Sequence, residues 1–180
     1  MKKSIFQEIE IPEGVNAEVN DGHIKVSGPE GTLERRFKLG VIEMKKEGNK
    51  IVIGNAKATK KEKKMINTIS ALLRNMVKGV QKKFEYELKI CYSHFPITVE
   101  VKGHEALIKN FLGEKIARKA KIPEGVDIDA GKEIIKISSA DKELAGRTAA
   151  NFELATKVGK RDRRVFQDGI FMINKAGKEI

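Results

Sequence analysis

The chain contains no tryptophan and a single cysteine, Cys91. One cysteine excludes an intramolecular disulfide and fits a reducing compartment. Aromatic residues make up only 6% of the sequence, so a core must be assembled mainly from Ile, Val, Leu and Ala. No apolar run is long enough to cross a bilayer. The opening, Met1-Lys2-Lys3-Ser4-Ile5-Phe6-Gln7-Glu8, has no hydrophobic stretch behind its basic start and does not read as a secretory signal. These absences predict a soluble, cytosolic protein. Acidic residues are scarce beside basic ones: 25 Asp+Glu stand against 36 Lys+Arg, a formal net charge of +11 and a pI near 9.6. That imbalance points to a polyanionic partner, either nucleic acid or an acidic membrane, although a merely soluble basic protein has the same composition. What is present suffices for a packed core, since 40% of the 180 residues are hydrophobic. The length suits one ordinary domain or two small ones.

Groups that carry catalysis or bind metal do not assemble into a pattern. His23, His94 and His104 have no Cys or second His at ligand spacing. Cys91 has no evident activating base or helix end, so a buried thiol is expected. Gly28-Pro29-Glu30-Gly31 lacks the Gly-Lys-Ser/Thr ending of a phosphate loop and reads as a hairpin turn. Carboxylates are interleaved with lysines, as on a solvated surface, and no acid/base pair stands out. The expectation is a chain without cofactor, metal or catalytic residues.

The first sixty residues read as short strands and turns. Ile9, Ile11, Val15, Ala17 and Val19 fall near period two, interrupted by Pro12-Glu13-Gly14. Asp21-Gly22 is a hairpin signal. His23 to Ser27 and Thr32 to Phe37 continue as strands, and Gly48-Asn49 leads into a short strand at Lys50 to Ile53. The period then changes. Thr59 with Glu62 three residues on forms a capping box. The stripe Met65, Ile66, Ile69, Leu72, Leu73, Met76, Val77 and Val80 predicts a long amphipathic helix ending near Gly79. Strands are then expected at Ile97–Val101, Ala106–Ile108, Ile116–Lys119, Val126–Ile128 and Ile134–Ile137. A second helix follows, capped by Asp141, with the stripe Leu144, Ala145, Ala149, Phe152 and Ala155.

The order repeats, which predicts an internal duplication. Two registers compete. A shift of 111 matches Ile11-Pro12-Glu13-Gly14-Val15 with Ile122-Pro123-Glu124-Gly125-Val126. A shift near 82 aligns Ala17-Glu18-Val19 with Val99-Glu100-Val101, Gly31 with Gly113, and Thr59 with Asp141. The second keeps every element in order and is preferred. The expected fold is therefore α+β, with two duplicated small domains, each a mostly antiparallel sheet carrying one long helix. Residues 1–82 form the first repeat, 83–157 the second, and 158–180 a basic extension. Units of about 80 residues are near the lower limit for independent folding.

Two basic clusters are candidates for polyanion binding. From Lys157 to Ile180 there are seven basic residues, Lys157, Lys160, Arg161, Arg163, Arg164, Lys175 and Lys178, against three acidic ones, a net of +4. Arginine forks match phosphate oxygens, and Phe166 can pack or stack beside them. The second cluster, Lys57, Lys60, Lys61, Lys63 and Lys64, crowds a helix entrance. Cations there oppose the helix dipole at about 0.3–1 kcal/mol each, which an anionic partner could offset. A solvated helix end accounts for the same charges in both places.

Three segments resemble a known family. Ile11-Pro12-Glu13-Gly14-Val15 with Val26-Ser27-Gly28-Pro29-Glu30-Gly31-Thr32-Leu33 is similar to the opening of the large-subunit ribosomal protein family L-six. Tyr92-Ser93-His94-Phe95-Pro96-Ile97 with Asn110-Phe111-Leu112-Gly113-Glu114-Lys115 resembles its archaeal and eukaryotic branch. The run from Ala149-Ala150-Asn151-Phe152 through Arg163-Arg164-Val165-Phe166-Gln167-Asp168-Gly169-Ile170 resembles that branch's C-terminal signature. One departure is visible: Arg147-Thr148-Ala149-Ala150 stands where members often carry Gln-x-Ala-Ala, though a guanidinium still suits phosphate. The resemblance implies a structural, non-enzymatic constituent of the large ribosomal subunit, working in translation. It also implies binding to large-subunit ribosomal RNA near the sarcin–ricin loop and stalk base. Neighbouring large-subunit and stalk-base ribosomal proteins would be partners, with translation factors nearby and no membrane. The expected RNA-binding residues are Arg147, Asn151, Lys157, Lys160, Arg161, Arg163 and Arg164, with Lys60, Lys61 and Lys64 from the first helix. A non-ribosomal architectural nucleic-acid binder remains the alternative.

Overall fold

A computed structural model describes residues 3–180. The chain divides into two compact units, the first ending at Lys83 and the second running from Phe84 to Ile180. The first unit contains β1 (Lys3–Glu10), β2 (Asn16–Asn20), β3 (His23–Gly28), β4 (Gly31–Arg36), β5 (Glu43–Glu47), β6 (Lys50–Ala58) and helix α1 (Lys60–Gln81). Its strands form two three-stranded antiparallel sheets, ordered β1-β6-β5 and β2-β3-β4. Helix α1 lies against strands of both. The capping box forms as the sequence predicts: Thr59 accepts from the Lys61 N–H at 3.3 Å, and the Glu62 carboxylate accepts from the Thr59 N–H at 2.8 Å. Ile66, Ile69, Leu73, Met76, Val77 and Val80 are buried against Ile9, Ile24, Val26, Ile51 and Ile53. Each such aliphatic side chain contributes about 1.5–3 kcal/mol of burial.

The second unit contains β7 (Phe84–Cys91), β8 (Thr98–Lys102), β9 (Glu105–Lys109), β10 (Arg118–Lys121), β11 (Asp127–Ala130), β12 (Ile134–Ser139), α2 (Lys142–Ala155), β13 (Gly169–Lys175) and β14 (Lys178–Glu179). One sheet is ordered β10-β9-β8, the other β11-β12-β7-β13-β14. Again the helix touches both sheets. Its core is Tyr86, Leu88, Ile90, Ile108, Phe111, Ile135, Ile137, Ala145, Ala149 and Phe152.

The duplication follows the shift near 82. β1-β6-β5 corresponds to β7-β12-β11, β2-β3-β4 to β8-β9-β10, and α1 to α2. The competing match of Ile11–Val15 with Ile122–Val126 has another origin. Both segments lie outside strands, and each carries its unit's chain from one sheet to the other. Gly14 and Gly125 both adopt positive φ, +82° and +80°, and nothing lies within 4 Å of where a Cβ would be, so the glycine is there for backbone conformation alone. The repeated sequence is thus a repeated turn.

Several expectations need correction. Each unit holds two sheets rather than one, and its helix packs against strands of both. Strands β5 and β7 were not foreseen. The strand expected at Ile116–Lys119 begins at Arg118 instead: Ala120 faces the core, whereas Ile116 is 84% exposed. The segment 158–180, expected as an extension, contributes β13, which pairs antiparallel with β7. Ile170 is 1% exposed, so this part of the chain belongs to the second core.

Candidate nucleic-acid interface

Five of the seven C-terminal basic residues, Lys157, Lys160, Arg161, Arg163 and Arg164, occupy the connection between α2 and β13, while Lys175 and Lys178 lie in β13 and β14. Both ends of that connection are tied down. At the end of α2 the buried Thr156 hydroxyl donates to the Phe152 carbonyl at 3.1 Å and accepts from the Ile170 N–H at 3.0 Å. Glu153 accepts from the Met172 N–H at 3.0 Å. Arg118 closes the helix terminus from the other sheet. Its guanidinium donates to the carbonyls of Ala155 and Lys157 at 3.0 and 3.1 Å, pairs with both oxygens of Glu114 at 2.6 and 2.8 Å, and stacks 4.2 Å from the centre of the Phe111 ring. The orphan carbonyls at a helix end are thereby satisfied by a cation, which also suits the dipole. Arg118 pulls the Glu114 carboxyl below its ordinary pKa.

Within the connection, Lys160 sits at φ +57°. Asp162 then makes a tight turn, its carbonyl accepting from Val165 and Phe166 N–H groups at 3.1 and 2.9 Å. Its carboxylate takes the Arg164 N–H at 2.9 Å and the Arg164 guanidinium at 2.8 Å. That pairing lowers the Asp162 pKa. Arg161 lies 4.8 Å from the centre of the Phe166 ring. Lys157, Lys160 and Arg163 have exposed side chains with no hydrogen bond or ion pair among the described residues. The arginine cluster is therefore divided: Arg164 is ion-paired, Arg161 is stacked, and Arg163 presents a free fork.

Other expected site residues are placed differently. Arg147 is exposed on α2. Asn151 is half-buried and donates to the Lys121 carbonyl at 2.8 Å, tying α2 to β10. Lys60, Lys61 and Lys64 are exposed at the entrance of α1 in the first unit, not in the unit that carries the C-terminal cluster. The histidines lie apart at the surface: His94 packs edge-on against Phe95 with centroids 4.7 Å apart, His23 is 3.9 Å from Glu34, and His104 is exposed. Cys91 is half-buried.

Two of the three segments that carry the family resemblance, 92–97 with 110–115 and 149–170, meet in the second unit, and the first lies in the other unit. Asn110 donates to the Pro96 carbonyl at 3.0 Å, and the Phe95 ring lies over Gly113, whose Cβ would sit 3.2 Å from it. Ser93 donates to the buried Asp168 at 3.1 Å. Sequence reasoning missed Arg118 as the residue that holds this end together. Its i,i+4 spacing from Glu114 was a legible signal for the ion pair, but nothing local marked the carbonyls near 155 as its targets. Elsewhere on the same unit, Glu85, Glu87, Asp127 and Asp129 surround Lys136 on the sheet face turned away from α2. An acidic face repels a polyanion, so the unit has one end suited to nucleic acid and one face that is not. No three His, Cys, Asp or Glu side chains among the described residues are placed so that they could hold a metal ion, and no helix among them is long and apolar enough to cross a membrane.

A family model described as ribosomal protein L6 matches residues 11–83 and again 95–169. Over 174 residues the chain is 45% identical to the large ribosomal subunit protein uL6 of Methanococcus vannielii, covering 97% of this chain and 96% of that protein. It is 45% identical over 172 residues to the uL6 protein of Sulfurisphaera tokodaii, covering 95% and 92%. With that of Staphylothermus marinus the identity is 47% over 179 residues, covering 97% of each.

Proposed function

The chain belongs to the ribosomal protein L6 family, and from that premise we propose that it serves in the cytoplasmic large ribosomal subunit as a non-catalytic clamp on folded ribosomal RNA, near the sarcin–ricin loop and the base of the stalk. The observation that carries this reading is the tied connection after α2. It holds Lys157, Lys160 and Arg163 unpaired at the end of the second unit where two of the family's segments meet. Cations on a loop fixed at both ends lose little freedom on binding, so more of the phosphate attraction appears as affinity. Arg161 and Arg164 stand beside them, the latter free to exchange its exposed partner Asp162 for phosphate. Arg147 on α2 extends the basic surface. Asn151 is already hydrogen-bonded and supports that surface. Lys60, Lys61 and Lys64 supply a second, separate contact from the first unit. Such contacts position RNA by backbone and shape rather than by base sequence. Stalk-base proteins would be neighbours, and translation factors would pass nearby.

Photocrosslinking within purified large subunits, with sites mapped on both molecules, tests this. Crosslinks are expected from Lys160 and Arg163 to RNA at the sarcin–ricin region, and none from Glu87 or Asp129. Crosslinks from the acidic face, with none from the 157–164 connection, would overturn the assignment.

A further inference from the structure

An open groove of about 1020 Å³ lies in the second unit between the last turns of α2, the connection that follows it, and the end of β7. Its walls are apolar: Leu154, Val158, Phe166 and Phe171 line it, with Tyr92 at one side. Leu154 is 65% exposed and Phe171 47% exposed, although both are large hydrophobic residues. The two carboxylates that also line it are bonded within the fold, Asp168 accepting from Ser93 and Glu153 from the Met172 N–H. The groove is also bordered by two cations with no partner, Lys157 and Arg163. An apolar, aromatic-walled recess beside unpaired cations matches a ligand that is flat and apolar in one part and anionic in the next.

We propose that this groove receives a single unpaired nucleotide of RNA, the base entering between Leu154, Phe166 and Phe171 and its phosphate resting on Lys157 and Arg163. The inference rests on the RNA-binding reading above and adds to it a seat for one splayed-out base. Unstacked bases are commonly held on aromatic rings and guanidinium planes, and here Phe166 carries Arg161 near its ring. The size exceeds what a base needs, since pockets of roughly 300–1,000 Å³ hold small ligands, so the sugar enters too. A hydrophobic segment of a neighbouring protein is the competing occupant. It would leave the two cations unused.

The substitution Leu154→Trp would fill the groove from an exposed position, leaving the core intact. The full chain would be assayed for binding to large-subunit ribosomal RNA at fixed salt, beside Ile116→Trp, a tryptophan placed at an exposed position outside the groove. Base–aromatic stacking accounts for about tenfold or more in affinity, so Leu154→Trp is expected to bind about tenfold more weakly at an unchanged melting temperature, with Ile116→Trp close to wild type. In a second arm, NMR titration with 5′-mononucleotides should shift the signals of Ser93, Leu154 and Phe166, and ribose 5-phosphate should not. If the wild-type chain binds the RNA and Leu154→Trp binds it equally well, the nucleotide seat is wrong while the RNA-binding reading stands. If the wild type itself does not bind, both fall. Equal shifts with ribose 5-phosphate would reduce the site to phosphate alone and overturn the seat. Intact RNA affinity with failed incorporation into subunits would assign the groove to a protein segment instead, which also overturns it.

Discussion

Arg118 and Arg163 are both arginines of the second unit, and their surroundings set them different tasks. Arg118 has its whole guanidinium engaged: two helix-end carbonyls, both oxygens of Glu114, and the face of Phe111. Arg163 has no partner. Composition counts the two alike, and only the fold separates structural cations from available ones. Replacing Arg118 by Met keeps the stem but strands two carbonyls and Glu114. Charge-assisted hydrogen bonds at a half-buried site are each worth about 1.5–3 kcal/mol, so a loss of about 2 kcal/mol is expected in chemical denaturation. RNA affinity per folded molecule should fall less than in a charge reversal at Arg163, since the connection loses one tie but keeps its cations. The pair also predicts a pH dependence. The Glu114 carboxyl lies below its ordinary value of 4.5 because Arg118 bonds to it. A depressed carboxyl contributes stability that is present above its unfolded pKa and lost as pH falls through the folded one. The stability gap between wild type and Glu114→Gln should be full at neutral pH and close in acid below 4.5. Thermal melts at several pH values read this directly, and a gap that persists in strong acid would mean that the ion pair is not its source.

At the scale of elements, the two units solve one problem with different groups. Each helix ends in carbonyls that need partners. In the second unit Arg118 supplies them. In the first, the β3–β4 turn does so: the Glu30 N–H donates to the Val80 carbonyl at 2.9 Å. That approach is possible because Gly28 has no side chain, since a Cβ there would lie 2.7 Å from the same carbonyl and 3.0 Å from the Val80 side chain. Gly28→Ala should therefore cost about 1–3 kcal/mol, as overpacking does, whereas Gly31→Ala meets nothing within 4 Å and strains only the backbone at φ +128°. Comparing the two by urea denaturation separates steric from conformational cost, and an undiminished Gly28→Ala protein would sink the docking explanation. The turn itself was legible, as were the capping box and both helices, because those signals are local. β7 carried a signal too: Phe84, Tyr86, Leu88 and Ile90 alternate with Glu85, Glu87 and Lys89. It was obscured by lying where one repeat gives way to the next. β13 is harder to read. Its apolar run Ile170-Phe171-Met172-Ile173 follows a cluster of arginines, and its partner β7 lies some eighty residues earlier, beyond the reach of any periodicity. The groove at the end of α2 had no sequence signal at all, since its lining comes from three separated segments.

For the whole molecule, the question is whether a net charge of +11 acts as a diffuse cloud or through particular places. Either way, affinity for ribosomal RNA should fall with salt. Neutralising six phosphates would give a slope of log K on log salt of about −4 to −5, and a salt titration showing no change would remove the electrostatic mechanism. Charge reversal separates the two cases. Arg161, Arg163 and Arg164 are exposed on the connection after α2, and the one ion pair among them, Arg164 with Asp162, is too exposed to matter for stability. Replacing all three by Glu should leave the melting temperature and circular dichroism near wild type, since exposed substitutions change stability by about 0.5 kcal/mol or less. The matched control is Lys45, Lys46 and Lys50. Two of these lysines already spend their charge locally, Lys45 on Glu43 at 3.1 Å and Lys50 on Glu8 at 3.0 Å. The arginine variant should lose most of its RNA affinity and fail to enter subunits, and the lysine variant should lose far less. If the arginine variant unfolds, those side chains hold the connection together rather than the RNA. If both variants lose affinity equally, net charge alone governs binding, and the free fork of Arg163 has no special place in it.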